Sequence, residues 1–217
     1  MKKIILIFLI CYVNFAFASE LTVNFVLKNL HKNYDNVTSF KAEFKQISFF
    51  KSVNSVQEFK GTLYLKKPDK MRWDYTFPET QLIVSNGEKI WYYYPKDNQV
   101  NVGNISKNNK EKNLIFMLLD GITKVEKQFD ITMVKGKNNK DYIYLQLLPK
   151  KPNTLFDKII ITLYRKNFKI AKSYIFYLTG DISKLIFLKT YLNVKLSNAF
   201  FNFKPPAGCE VFQMPSY

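Results

Sequence analysis

His31 is the only histidine in the chain, and residues able to act on a substrate are correspondingly few. A thiol nucleophile needs a positioned base. Cys11 falls in an N-terminal apolar segment, so such a pair would have to join His31 to Cys209, from opposite ends of the sequence. Zinc sites need several Cys or His ligands, and the chain beyond residue 18 offers one of each. It has no phosphate-cradling glycine loop, no G-x-S-x-G elbow and no H-E-x-x-H. Asp69, Glu88, Asp97 and Asp141 stand singly among lysines at turn-like positions, and nothing marks a glycosidase-type pair. We therefore expect no enzyme, no cofactor and no metal.

What remains is apolar and aromatic surface. In "LYLKKPDKMRWDY" (Leu63 to Tyr75) period two puts Phe59, Gly61, Leu63 and Leu65 on one face. The next residue of that row is Lys67, a cation that should seek carbonyl partners if it points inward. Met71, Trp73 and Tyr75 form another such row, as do Trp91 and Tyr93. Rows of this kind are ordinary core or the lining of a cavity for an apolar ligand, and composition does not choose between the two.

The elements that must position these rows are mostly strands. Ser19 to Tyr34 reads as an amphipathic helix, with Val23, Val26, Leu27, Leu30 and Tyr34 at spacings of three and four. From Phe40 the period is two. Strands are expected at 56–65, 70–75, 81–84, 89–94, 99–102, 129–134, 141–148, 157–164, 170–178, 185–192 and 199–203. Asn86-Gly87 makes a tight hairpin, and Pro205, Pro206 and Gly208 close the sheet region. Leu114 to Leu119, six apolar residues before Asp120-Gly121, reads as a short helix. About eleven short strands without a linker predict one antiparallel barrel or sandwich over residues 19–217.

Residues 1–18 read as a cleaved signal peptide: Lys2 and Lys3, an apolar Ile4 to Val13, then Ala16-Phe17-Ala18 with the cut before Ser19. Ile10 precedes Cys11, so a lipoprotein signal is not expected. The mature protein is then exported and soluble. The net charge of +16 favours anionic membranes or acidic partners. Arg72 and Arg165 are the only arginines, and the lysines are scattered, so a nucleic-acid partner is not expected.

Four stretches resemble one family. "VTSFKAEFKQ" (37–46) matches V-x-S-F-x-A-x-F-x-Q, and "GTLYLKKPDKMRWDY" matches G-x-L-x-[VL]-x-[KR]-P-x-x-[FM]-x-W. "VSNGEKIWYYYPKDNQV" and the terminal "FNFKPPAGCEV" are similar to two further family signatures. This is the LolA family, periplasmic carriers of outer-membrane lipoproteins. The resemblance implies a mainly β protein, an unclosed antiparallel barrel covered by a helical lid. It implies a chaperone whose cargo is acylated lipoproteins, taken from an inner-membrane ABC transporter and handed to the outer membrane or a receptor there. The carrier would be a monomer. Lys67 stands where the family has an arginine that bonds the lid and favours its closed, empty state. Leu63, Leu65, Met71, Trp73 and Trp91 would line the acyl cavity, with Leu30, Tyr34, Phe116, Met117 and Leu118 on the lid helices. The alternatives are another lipid- or glycolipid-binding or lipid-sensing module on the same barrel, and, last, a secreted hydrolase.

Overall fold

The computed structural model describes residues 21–105, 122–152 and 155–214. The expected signal peptide, and Phe116, Met117 and Leu118, lie outside them. Twelve strands form one sheet, in the order β12-β6-β5-β4-β3-β2-β1-β11-β10-β9-β8-β7, whose two edges do not pair with each other. The first six are β1 (Ser39–Phe50), β2 (Ser55–Lys66), β3 (Lys70–Phe77), β4 (Gln81–Ser85), β5 (Lys89–Tyr94) and β6 (Gln99–Asn104). They run as a meander of hairpins, the turn at Asn86-Gly87 using the positive φ of Gly87. The second set is β7 (Phe129–Met133), β8 (Tyr142–Pro149), β9 (Phe156–Tyr164), β10 (Ile170–Tyr177) and β11 (Ile182–Leu192). β11 pairs with β1 and joins the two halves.

Two expectations at the C-terminal end are corrected. Residues 199–203 are not a strand; Ala199–Phe201 is a 3-10 turn. Its aromatic residues cover the outer face instead, with Phe200 against Tyr64 and Arg72, and Phe201 fully buried. The sheet also does not stop at Pro205 and Pro206. The β12 strand (Glu210–Gln213) adds to β6 as the one parallel pair among the described strands.

Two α-helices are described: α1 (Val23–Tyr34) and α2 (Ile122–Gln128). The Thr22 hydroxyl caps α1 by accepting from Phe25 N at 3.2 Å, so the helix begins four residues later than expected. α2 was not legible in sequence, because its seven residues bury only Ile122 and Val125.

Cross-strand partners share a face, so side-chain rows can be followed across the sheet. Phe40, Leu65, Met71, Ser85 and Ile90 form one row, and Ala42, Leu63, Trp73, Ile83 and Tyr92 the next. These rows meet Val26, Leu30 and Tyr34 of α1, and Ile122 and Val125 of α2, in one apolar core. A Cβ on Gly61 would lie 2.1 Å from the Asp74 carbonyl oxygen, so only glycine permits this approach of β2 to β3. The rings of Phe44 and Tyr75, the partners of Gly61 on either side, meet with centroids 5.3 Å apart.

Candidate functional site

The inner face presents a band of apolar side chains under α1. Leu63, Leu65 and Met71 are buried in it. Trp73 packs edge-on against Phe44 with centroids 4.9 Å apart, and stacks on Tyr75 at 5.9 Å. Leu30 and Tyr34 are buried α1 side chains of the same core. Of the expected lining, Trp91 is the exception. The register pairs Lys41 with Tyr64, Tyr64 with Arg72, Arg72 with Val84, and Val84 with Trp91. Trp91 therefore stands on the outer face, one residue out of phase with the Trp73 row. The outer face has its own cover, with Tyr93 against Phe203 and Arg72 over Phe200 at 4.5 Å.

Among the described residues, few polar ties hold α1 over the sheet. Tyr34 OH accepts from Ile170 N at 2.9 Å, and burial raises its pKa above the usual phenol range against the opposing effect of that N–H. Asn33 donates to Asn167 O at 2.8 Å. Lys67 Nζ reaches the carbonyl of Asp35, the C-terminal cap of α1, at 3.4 Å. A cation is favoured there, where the last helical carbonyls collect partial negative charge.

His31 contributes in a way its sequence position did not reveal. Nδ1 lies 2.7 Å from Asp35 Oδ2 on α1, and Nε2 lies 3.0 Å from Glu126 Oε2 on α2. Asp35 also accepts from Ile122 N through Oδ1 at 3.3 Å. The hydrogen bond to Asp35 chiefly, with Glu126 adding to it and burial opposing, raises the His31 pKa above 6.5. Cys209 is occupied elsewhere, its thiol 2.9 Å from Asn98 Oδ1. Among the described residues no three His, Cys, Asp or Glu side chains are placed to hold a metal.

Beyond Trp73 and Phe44, away from Lys67, the inner face opens into a cavity of about 360 Å³ between the β1–β2 and β10–β11 hairpins. Its walls include Phe49, Phe59, Ile83 and Ile182, and its polar groups include Gln46, Ser48, Tyr75, Tyr177 and Ser183. Tyr75 OH donates to Gln46 Oε1 at 3.4 Å, and Gln46 Nε2 donates to Ser48 Oγ at 3.0 Å. Burial, reinforced by the neighbouring Tyr177 and Tyr92 phenols, raises the Tyr75 pKa far above the usual phenol range. Asp181 ties the two hairpins by accepting from Lys51 N at 2.9 Å.

A family model described as "Outer membrane lipoprotein carrier protein LolA" matches residues 35–204. Proteins named outer-membrane lipoprotein carrier protein are similar over most of the chain. That of Methylobacillus flagellatus is 30% identical over 85% of this chain and 87% of its own. That of Methylococcus capsulatus is 30% identical over 98% and 97%. Among solved structures, an uncharacterized conserved protein from Thermus thermophilus aligns with a TM-score of 0.54 at 13% identity. It covers 88% of this chain and 98% of its own, a likeness of fold alone. With the family match spanning both halves of the sheet, the chain belongs to the LolA family of outer-membrane lipoprotein carrier proteins.

Proposed function

We propose that this protein carries acylated lipoproteins across the periplasm, with the acyl chains held between the inner face of the sheet and α1. The observation that carries the reading is the apolar inner band, Leu63, Leu65, Met71 and Trp73, roofed by a helix with few polar ties. Burying a methylene is worth roughly 0.8 kcal/mol, so a lipid anchor with long acyl chains needs a covered apolar path between membranes. Chains reach Leu63 and Leu65 when α1 lifts, and the core that α1 leaves behind is what the chains replace. Bound and empty states therefore bury similar apolar surface, and the cargo is released without chemistry. Met71 supplies a flexible thioether to chains of varied shape.

In this reading Lys67 is the tether that draws α1 back. The cargo comes from an inner-membrane lipoprotein-releasing ABC transporter and goes to the outer membrane, directly or through a receptor. Depletion in the native cell tests the reading. Outer-membrane lipoproteins are expected to accumulate at the inner membrane, and normal sorting would overturn it.

A further inference from the structure

The inner face is graded along the strands. On β1 the inward residues run Phe40, Ala42, Phe44 and then Gln46, Ser48. On β3 they run Met71, Trp73 and then Tyr75, while on β10 Ser173, level with Gln46, is followed by Ile175 and Tyr177. The apolar members lie mostly toward α1, where Ser85 is the hydroxyl of the Phe40 row, and Gln46, Ser48, Tyr75, Tyr177 and Ser183 gather at the opposite end, around the 360 Å³ cavity. That volume is at the lower end of small-molecule pockets, about 300–1,000 Å³, and is too small for several acyl chains. It suits a polar linkage with its first methylenes.

We infer that the cavity is a seat for the carbonyl-bearing linkage of the lipid anchor, the esters and amide through which acyl chains are attached. Tyr177 and the second N–H of the Gln46 amide supply donors, the Tyr75 hydroxyl orients that amide by donating to its Oε1, and the chains run from there past Phe44 and Trp73 toward Leu63. The phenols keep their protons, since burial holds Tyr75 and Tyr177 neutral, so both remain donors at any physiological pH. Phe59 and Ile83 flank the seat and give the α-methylenes an apolar wall. Such a seat sets direction, with head at the hairpin mouth and tails under the helix. It also selects acyl over alkyl anchors, because a carbonyl is an acceptor and a methylene in the same place leaves buried donors unmet. The inference rests on the carrier reading and deepens it.

The test compares two synthetic probes of equal charge on the purified protein: a triacylated cysteine peptide, and its analogue in which alkyl ethers replace the esters and the amide is kept. The wild type is expected to bind the acyl peptide about tenfold more tightly, the effect of one to two neutral hydrogen bonds. The Tyr75→Phe/Tyr177→Phe protein and, separately, Gln46→Leu are expected to lose most of that preference, binding the acyl peptide more weakly and the alkyl analogue at least as tightly as wild type does, since no donor is then left unmet. Retained binding of the analogue also shows that each variant is folded. Equal affinity of the wild type for both probes, or an undiminished preference in both variants, would overturn the seat and leave the carrier reading standing. Failure of the wild type to bind either probe would overturn both.

Discussion

At the scale of single residues, His31 joins α1 to α2 and Lys67 reaches the C-terminal cap of α1. His31 has a carboxylate at each ring nitrogen, one per helix, and satisfies both only as the doubly protonated imidazolium. Its pKa is raised in the folded protein, so its contribution is fully present below about 6.5 and is lost as pH rises through the folded value. Thermal unfolding followed from about pH 6 to about pH 9 is expected to show a fall in melting temperature that His31→Gln removes. Lys67 acts through one long bond to the Asp35 carbonyl, worth about 0.5–1 kcal/mol. In the proposed carrier cycle cargo lifts α1 and breaks this bond, so Lys67→Leu should release a triacylated peptide about two- to fivefold more slowly, as measured by transfer to acceptor vesicles. Equal rates for Lys67→Leu, Lys67→Arg and wild type would exclude the tether. Period two puts Lys67 on the Leu63–Leu65 face, where its Nζ meets the Asp35 carbonyl, and the tether role proposed for it comes from the family resemblance. Nothing in sequence paired His31 with Glu126, because that contact spans 95 positions and links a helix to one too short to read. Gln46 was visible as part of a motif, but its place at a cavity depends on Tyr177, from the far side of the sheet.

At the scale of elements, periodicity gave most strands within a residue or two and gave their alternation correctly. It did not give the phase of one strand against the next. Period two says that Trp91 and Tyr93 share a face; only the Val84–Trp91 register says that the face is the outer one. The two tryptophans of the chain therefore report on opposite sides of one sheet. A lipopeptide with brominated acyl chains is expected to quench the fluorescence of a Trp91→Phe protein, which retains Trp73, and to leave a Trp73→Phe protein nearly unchanged. Quenching of Trp91 instead would place the chains outside the sheet. The strand expected at 199–203 failed for a related reason. "AFFNF" has the composition of a strand, but its rings found a ready surface in Tyr64, Arg72 and Tyr93 while β12 took the free edge.

At the scale of the whole molecule, one antiparallel β domain with apolar rows was legible in short alternating segments rich in aromatics, while the openness of its sheet was implied only by the family resemblance. The stitching of the sheet was not legible, because local pattern says nothing about which distant strands meet. β1 lies between β2, its hairpin neighbour, and β11, whose Leu192 pairs with Phe40. That junction joins the first strand to the last antiparallel one, while β2 to β6 can form as local hairpins. Contacts so distant along the chain are slow to form. A ribosome or a membrane pore delivering this protein from its N-terminus has therefore passed nearly all of it before β1 gains its second partner. Until then the inner rows of β1 to β3 are exposed, and the carrier is itself an apolar client in need of keeping from aggregation. For the proposed periplasmic carrier, the strand order suits passage of an unfolded chain and defers the proposed acyl-binding face until folding is almost complete.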